Sequence, residues 1–122
     1  MIKINKNDQI NFEKVEIVGA KNVVMKILIG PVDGSKNIIM RLFRVAPGGE
    51  TPYHQHNYEH VIKVEKGQGI AIDENKKEYQ ISVGNSLFVK PNKMHQFKNS
   101  SQENFEFSCI IPDPNKNSCI LK

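Results

Sequence analysis

The chain has 122 residues, which is enough for one compact domain and too few for two ordinary ones. Its net charge is +4, but the 17 Lys and Arg residues are scattered and form no stripe that could follow a phosphate backbone. No apolar run approaches the roughly 20 residues of a membrane span, and residues 1–8 lack the apolar core of a signal peptide. We therefore expect a soluble, cytoplasmic protein with no nucleic-acid partner and no membrane partner.

Short runs rich in Val, Ile and Phe are separated by clusters of Gly, Pro, Asn and Asp, and no long segment has a helical period. This pattern predicts an all-β fold. The expected turns lie at 31–34, 46–49, 66–69, 73–76 and 83–85. In chain order, the expected strands are 15–18, 23–29, 38–45, 59–65, 69–73, 78–82, 86–89 and 105–111.

These strands follow one another without an internal repeat or a linker, so the sequence predicts a single domain over residues 1–122. We expect N-terminal strands at 15–30, a core at about 38–112 and a loosely held polar tail at 113–122, from which Ile120 and Leu121 could dock onto the domain. The two cysteines, Cys109 and Cys119, have no CxxC spacing. They are therefore expected to be reduced thiols, without a disulfide framework or a thiolate zinc site.

Alternate residues of a strand lie on opposite faces, so parity predicts which side chains share the interior. Such an arrangement is typical of a sandwich or barrel with one packed interior. The outward residues of the strand at 59–65 are expected to be Glu59, Lys63 and Glu65. The inward residues are expected to be His60, Ile62 and Val64, together with Phe105, Phe107, Cys109 and Ile111 of the last strand.

All four histidines fall in two places, with three of them inside seven residues. His54 and His56 share a face of an extended strand, which allows two imidazoles to hold one ion, and His60 has the same parity. His95 follows the expected strand 86–89, from where a neighbouring strand could direct it inward. The pattern predicts one divalent metal ion held by four histidines.

Two spaced motifs accompany these histidines. Gly48, His54, His56 and Gly67 match G-x5-H-x-H-x3-E-x6-G, the first motif of the cupin superfamily. Gly84, His95 and Asn99 match the second motif, G-x5-P-x-G-x2-H-x3-N, although Pro91 stands one residue late and the internal glycine is absent. The sequence therefore resembles the cupins from about residue 40 to residue 112.

One position of the first motif departs from the usual pattern, because His60 stands where most cupins have glutamate. This resembles the four-histidine variant of small cupins. The alternative is that a bulge shifts the strand register and makes Glu59 the ligand. If His60 is the ligand, Glu59 is either an outward residue or a carboxylate that accepts an imidazole N–H.

The resemblance implies a double-stranded β-helix, which is a jelly-roll barrel with the metal near one mouth. It implies manganese or iron as the metal, while imidazole ligands leave zinc, nickel, cobalt and copper possible. It also implies a homodimer formed through the N-terminal strands, where 23–29 carries more apolar surface than one small barrel can easily bury.

Parity also suggests which side chains surround the metal. Phe107, Cys109 and Ile111 would form an apolar wall, with Phe97 nearby. Arg41 has the parity of Phe43 and would be the one fixed cation able to hold a substrate carboxylate; the alternative is an ordinary exposed arginine. Cys109 is expected to be an inert thiol that lines the pocket.

Four neutral imidazoles would leave the charge of the ion uncompensated, so the site should attract an anion and acidify bound water. The first expected function is a metalloenzyme of the dioxygenase, isomerase or lyase type that acts on a small molecule. The alternatives are a module that binds a small metabolite without converting it, a closed structural zinc site, and a storage role that the small size disfavours.

Overall fold

The computed structural model describes residues 1–115, which contain nine antiparallel strands, two short 3-10 turns at Asn7–Gln9 and Pro31–Asp33, and no α-helix. The all-β prediction is confirmed. No helix within these residues is long and apolar enough to cross a membrane. The strands are β1 Glu13–Lys14, β2 Lys21–Ile29, β3 Ile38–Glu50, β4 His60–Lys66, β5 Gln68–Ile72, β6 Glu78–Ser82, β7 Ser86–Val89, β8 Gln96–Lys98 and β9 Phe105–Pro112.

The strands form one curled sheet in the order β6-β5-β8-β3-β9-β4-β7, and the β1–β2 hairpin is added through the pairing of β2 with β3. The two end strands, β6 and β7, line the same open gap, so the sheet curls nearly back on itself. This arrangement confirms the expected jelly-roll barrel. The concave face of the sheet holds both the core and the histidines.

The core forms where the central strand β9 lies between β3 and β4. Phe105, Phe107, Cys109 and Ile111 of β9 are at most 4% exposed, which confirms the expected inward face, although Glu106 and Ser108 of the other face are also buried. Ile62 and Val64 of β4 face them and are each 1% exposed, while Glu59, Lys63 and Glu65 are exposed.

The strand expected at 15–18 is wrong, because the first strand ends at Lys14. The chain reverses at Gly19, whose φ of +94° suits a glycine, and Val18 is fully exposed at the reversal. The β-branched composition of 15–18 predicted a strand, but the hairpin closes around these residues.

The turn expected at 46–49 is also wrong, since β3 continues through Glu50. The register between β2 and β3 shifts here, from Val23 opposite Val45 to Lys21 opposite Glu50, so the intervening residues form a bulge. Gly49 lies inside this bulge, where a Cβ atom would come within 2.7 Å of the Lys21 carbonyl oxygen. Glycines at this point therefore permit a close backbone approach within a strand.

The short strand β8 was not expected from the sequence, because only three residues pair there. Asn99, which follows it and is 2% exposed, anchors the segment. Its amide nitrogen donates to the carbonyls of Val45 at 2.8 Å and Glu103 at 2.7 Å, and its amide oxygen accepts from Ser101. The asparagine of the second motif thus ties β8 to β3.

The C-terminal segment is held beyond the end of β9. Asp113 is 1% exposed, and its backbone N–H donates to the Asn37 carbonyl at 2.8 Å. The expectation that the chain is loosely held from residue 113 is therefore wrong for Asp113. Residues 116–122, including Cys119, Ile120 and Leu121, lie outside the described residues. Cys109 is a free, buried thiol.

Candidate metal centre

The candidate site is built on a backbone pairing between His54 and His95. The His54 N–H donates to the His95 carbonyl at 3.1 Å, and the His95 N–H donates back to the His54 carbonyl at 2.8 Å. Residues that face each other in an antiparallel pair project their side chains to the same side. Both imidazoles therefore lie on the concave face of the sheet, with ring centroids 5.1 Å apart.

The other two histidines complete a compact group of rings. The His56 ring lies 4.4 Å from that of His54, and the His60 ring lies 4.9 Å from that of His95 and 5.1 Å from that of His56. Side-chain nitrogens of His54, His56 and His95 lie within 4.8 Å of one another, which is close enough for three ligands of one metal ion. His60 is the first residue of β4 and stands beside this trio.

All four histidines are held neutral by their surroundings. Burial lowers the pKa of His60 to about 3 and that of His56 to about 4, and neighbouring histidines and Arg41 act in the same direction. Burial also lowers the pKa of His54 and His95, although a backbone contact of His95 opposes this. Neutral imidazole is the form that binds metal, so the site is prepared for a cation over a wide pH range.

The hydrogen bonds of the rings fit a metal site. His95 Nδ1 lies 3.0 Å from the Lys93 carbonyl, which selects the tautomer with a proton on Nδ1 and leaves Nε2 free for an ion. The Nδ1 atoms of His56 and His60 are buried without a partner. Unpaired buried nitrogens cost free energy, and a functional centre commonly accounts for them. The residues present thus fit a bound divalent metal ion.

Glu59 does not take part in this cluster. It is exposed and borders an outer groove with Val61 and Ile110, on the opposite face of β4 from His60. The pairing of β4 with β7 runs in regular register from His60, without the bulge that would turn Glu59 inward. Of the three expectations for Glu59, the outward position agrees with its exposure, whereas the positions of a ligand and of an acceptor for an imidazole N–H do not.

A cavity of about 250 Å³ extends from the histidines toward the N-terminal hairpin. Arg41, Phe97, Phe107 and Cys109 line it, whereas Ile111 is buried in the core and borders the outer groove instead. The other residues that line the 250 Å³ cavity are largely apolar. They are Val15, Ile17, Val23, Met25, Phe43, Thr51, Pro52 and Ile62.

Sequence reasoning missed two aromatic residues at the site. Phe43 stacks on Phe107 with ring centroids 5.2 Å apart, and Tyr58 stacks on His56 at 4.9 Å. Parity could have predicted both residues. Phe43 is two residues from Arg41 and so shares its face, and Tyr58 is two residues from both His56 and His60. The sequence could not have predicted that the N-terminal hairpin lines the cavity, because this position depends on the pairing of β2 with β3.

A second and larger cavity, of about 680 Å³, lies along the gap between β6 and β7. It reaches His95 and Phe97, which also line the smaller cavity. Lys93 and Glu74 lie across its rim with charged atoms 3.9 Å apart. The histidine cluster is therefore bordered by open space on two sides.

The lowered pKa values predict a pH-dependent stability for the metal-free chain. Because the pKa values of His56 and His60 lie below the ordinary 6.5, the unfolded chain binds more protons than the folded chain below that pH. Stability is therefore full above pH 6.5 and falls as the pH is lowered toward 4. Each of the two residues should reduce the free energy of unfolding by about 2 kcal/mol at pH 5.

Urea unfolding of chelator-treated protein at pH 7.5 and pH 5.0 measures this difference. The variant His60→Gln should show a smaller loss, because it lacks one of the two groups. Equal free energies of unfolding at both pH values would contradict the assignment of neutral, buried histidines.

Comparison with known proteins yields relatives in both sequence and structure. A stretch of 89 residues is 33% identical to Auxin-binding protein 1 of Arabidopsis thaliana and covers 66% of this chain and 45% of that protein. A similar stretch is 31% identical to Auxin-binding protein T85 of Nicotiana tabacum and covers 49% of it. The chain thus matches about half the length of these relatives.

Among solved structures, the polyketide cyclase RemF from Streptomyces resistomycificus superposes with a TM-score of 0.87 and 26% identity, over 92% of this chain and 80% of that one. A predicted oxalate decarboxylase from Thermotoga maritima superposes with a TM-score of 0.80 over 90% of this chain and 98% of that one. Its 22% identity shows a shared fold alone. The family model described as the cupin domain matches residues 41–111, more than half of the chain and both motif regions. The chain belongs to the cupin family.

Proposed function

We propose that this protein is a metal-dependent cupin that binds one divalent ion through His54, His56, His60 and His95 and acts on a small organic molecule. The observation that carries the proposal is the group of four neutral imidazoles at the base of an apolar cavity. A purely structural metal site would need no adjoining cavity, and structural zinc sites usually include cysteine.

His60 is proposed as the fourth ligand. Its ring lies about 5 Å from the rings of both His56 and His95, and its Nδ1 is one of the two unpaired buried nitrogens. A buried neutral imidazole without a partner needs a compensating interaction, and a shared ion would provide one for several rings together.

The reaction is proposed to be of the lyase or isomerase type, with ring closure as one example. The similarity to the polyketide cyclase RemF, at 26% identity over 92% of this chain, supports this class over a dioxygenase. When bound, the ion supplies Lewis-acid polarisation of a substrate oxygen. The aromatic wall of Phe43, Phe97 and Phe107 would exclude water and hold a flat, apolar substrate body.

Manganese or iron is proposed as the native metal on the grounds of the cupin resemblance. Imidazole ligands also suit zinc, nickel, cobalt and copper, and intrinsic affinity favours copper. The metal in the cell therefore depends on supply as well as on this ligand set.

The proposed ligand set predicts a stoichiometry and a ranking of variants. Wild-type protein without a histidine tag should bind one divalent ion per chain, measured by elemental analysis after dialysis. His54→Ala, His56→Ala and His95→Ala should lose the ion. His60→Ala should weaken binding by at least about tenfold, because mutation even of a group that only orients a metal ligand typically costs about tenfold to 100-fold.

Gln55→Ala is the matched control, because Gln55 lies between two proposed ligands but is exposed. It should bind metal like the wild type. Metal content that is unaffected in the His60→Ala variant, together with an absorption-edge spectrum showing three imidazoles, would reduce the set to His54, His56 and His95.

A second candidate is a binding module that holds a small molecule without converting it. The 33% identity to Auxin-binding protein 1 favours this candidate. The apolar cavity and a metal ion would together suit a small organic ligand in either case.

Thermal-shift screening of metal-loaded protein, followed by mass analysis of each stabilising compound, separates the two candidates. An enzyme should convert at least one stabilising compound, and the His54→Ala variant should not. Compounds that raise the Tm but are recovered unchanged after long incubation would support the binding module instead.

A homodimer is proposed for the protein in solution. The outer face of the neighbouring strands β4, β7 and β9 exposes apolar side chains that single domains usually cover, with Val61 at 52%, Phe88 at 55% and Ile110 at 38% exposure. Size exclusion with light scattering should give the mass of two chains at micromolar concentration. The mass of one chain would refute the dimer.

A further inference from the structure

One cation faces the cavity that adjoins the histidines. Arg41 lies on β3 directly opposite Cys109 of β9, and its guanidinium lines the cavity with the aromatic wall. The guanidinium carbon lies 4.8 Å from the centroid of the Phe43 ring, and Nη2 donates to the Cys109 sulfur at 3.2 Å. These two contacts fix the side chain toward the interior.

This guanidinium has no anionic partner among the described residues. The arginine ion pair found there joins Arg44 to Glu106, with Arg44 Nε and a carboxylate oxygen 2.7 Å apart. The hydrogen bond that Arg41 makes within the described residues goes to the sulfur of Cys109, a weak acceptor, and its Nε is buried with no hydrogen bond. Burial raises the pKa of the Cys109 thiol, so the sulfur stays neutral and does not offset the charge.

The remaining lining of the cavity adds no negative charge either. None of its lining residues is Asp or Glu. A half-buried cation that lacks a carboxylate partner is costly for a folded protein, and such a residue commonly serves a ligand. The cavity therefore places one positive group among apolar side chains, close enough to the histidines to help lower the pKa of His54, His56 and His60.

A bound molecule would meet chemically different surfaces of this cavity. The histidine cluster, which would hold the ion, forms one of them. The stacked rings of Phe43 and Phe107 form a flat apolar wall, and Arg41 lies at the edge of that wall. A planar apolar body fits the wall, and a group of fixed negative charge fits Arg41, because a guanidinium binds a carboxylate through two parallel hydrogen bonds.

We propose that Arg41 is a specificity-determining residue, which selects small aromatic or otherwise planar carboxylates by pairing with the carboxylate in the cavity. The inference rests on the proposed function, since it names the substrate class of the same site. It requires that Arg41 discriminate a carboxylate from a neutral group of the same shape.

Benzoate and benzamide are matched probes for this discrimination, because they share a ring and differ in charge. Isothermal titration of metal-loaded protein should show tighter binding of benzoate. In Arg41→Met the affinity for benzoate should fall about tenfold or more, while that for benzamide should stay unchanged. Arg41→Lys should lose part of the affinity, because a lysine keeps the charge but not the paired geometry.

Arg44→Met is the matched control, since this arginine lies on the same strand but does not line the cavity. It should bind benzoate like the wild type. Circular dichroism and metal content of each variant establish that the barrel and the ion are retained. A cobalt-loaded sample adds an absorption band that reports whether benzoate also reaches the ion.

The outcomes distinguish failure of the inference about Arg41 from failure of the proposed metal-dependent function. If Arg41→Met binds metal and benzoate like the wild type, or if wild type prefers benzamide, the inference is overturned and the metal-dependent function stands. If wild type binds no metal but prefers benzoate through Arg41, the proposed function fails and the role of Arg41 is supported.

Discussion

The pairing of the His54 and His95 backbones is the constraint on which the rest of the site depends. Through it, two distant stretches of chain meet at one position, with both imidazoles on the concave face. The bulge in β3 and the buried Asn99 prepare this pairing, because they align the end of β3 with β8. Gly48 of the first motif, which has a φ of +78° in this bulge, and Asn99 of the second motif thus have backbone roles, and the histidines have the chemical one.

Charge determines what this arrangement can hold. Desolvation keeps four bases neutral in a space whose lining includes no carboxylate, so a divalent ion would retain most of its positive charge there. Arg41 adds a second positive group to the same space. With an ion bound, the cavity and the cluster would together favour an anionic ligand, while the stacked aromatic rings would limit the size and shape of that ligand.

Much of this could be predicted from the sequence, because alternation along strands specifies burial. The inward face of β9 and the shared side of His54 and His56 followed from parity alone. The bulge at 46–49 could not be predicted, since Pro and Gly indicate a turn unless the partner strand is known. Strand β8 was too short to give a pattern, and the cavity wall from the N-terminal hairpin depends on tertiary pairing.

The gap between β6 and β7 has a consequence for the range of molecules that the barrel can accept. In a closed barrel, a ligand can enter only through the open ends. In this protein the sheet instead ends in two strands, β6 and β7, that do not pair with each other. Phe97 stands between the small cavity and the gap and lines both. Phe97 and His95 thus border both spaces, so a molecule in either one would lie beside the same two side chains.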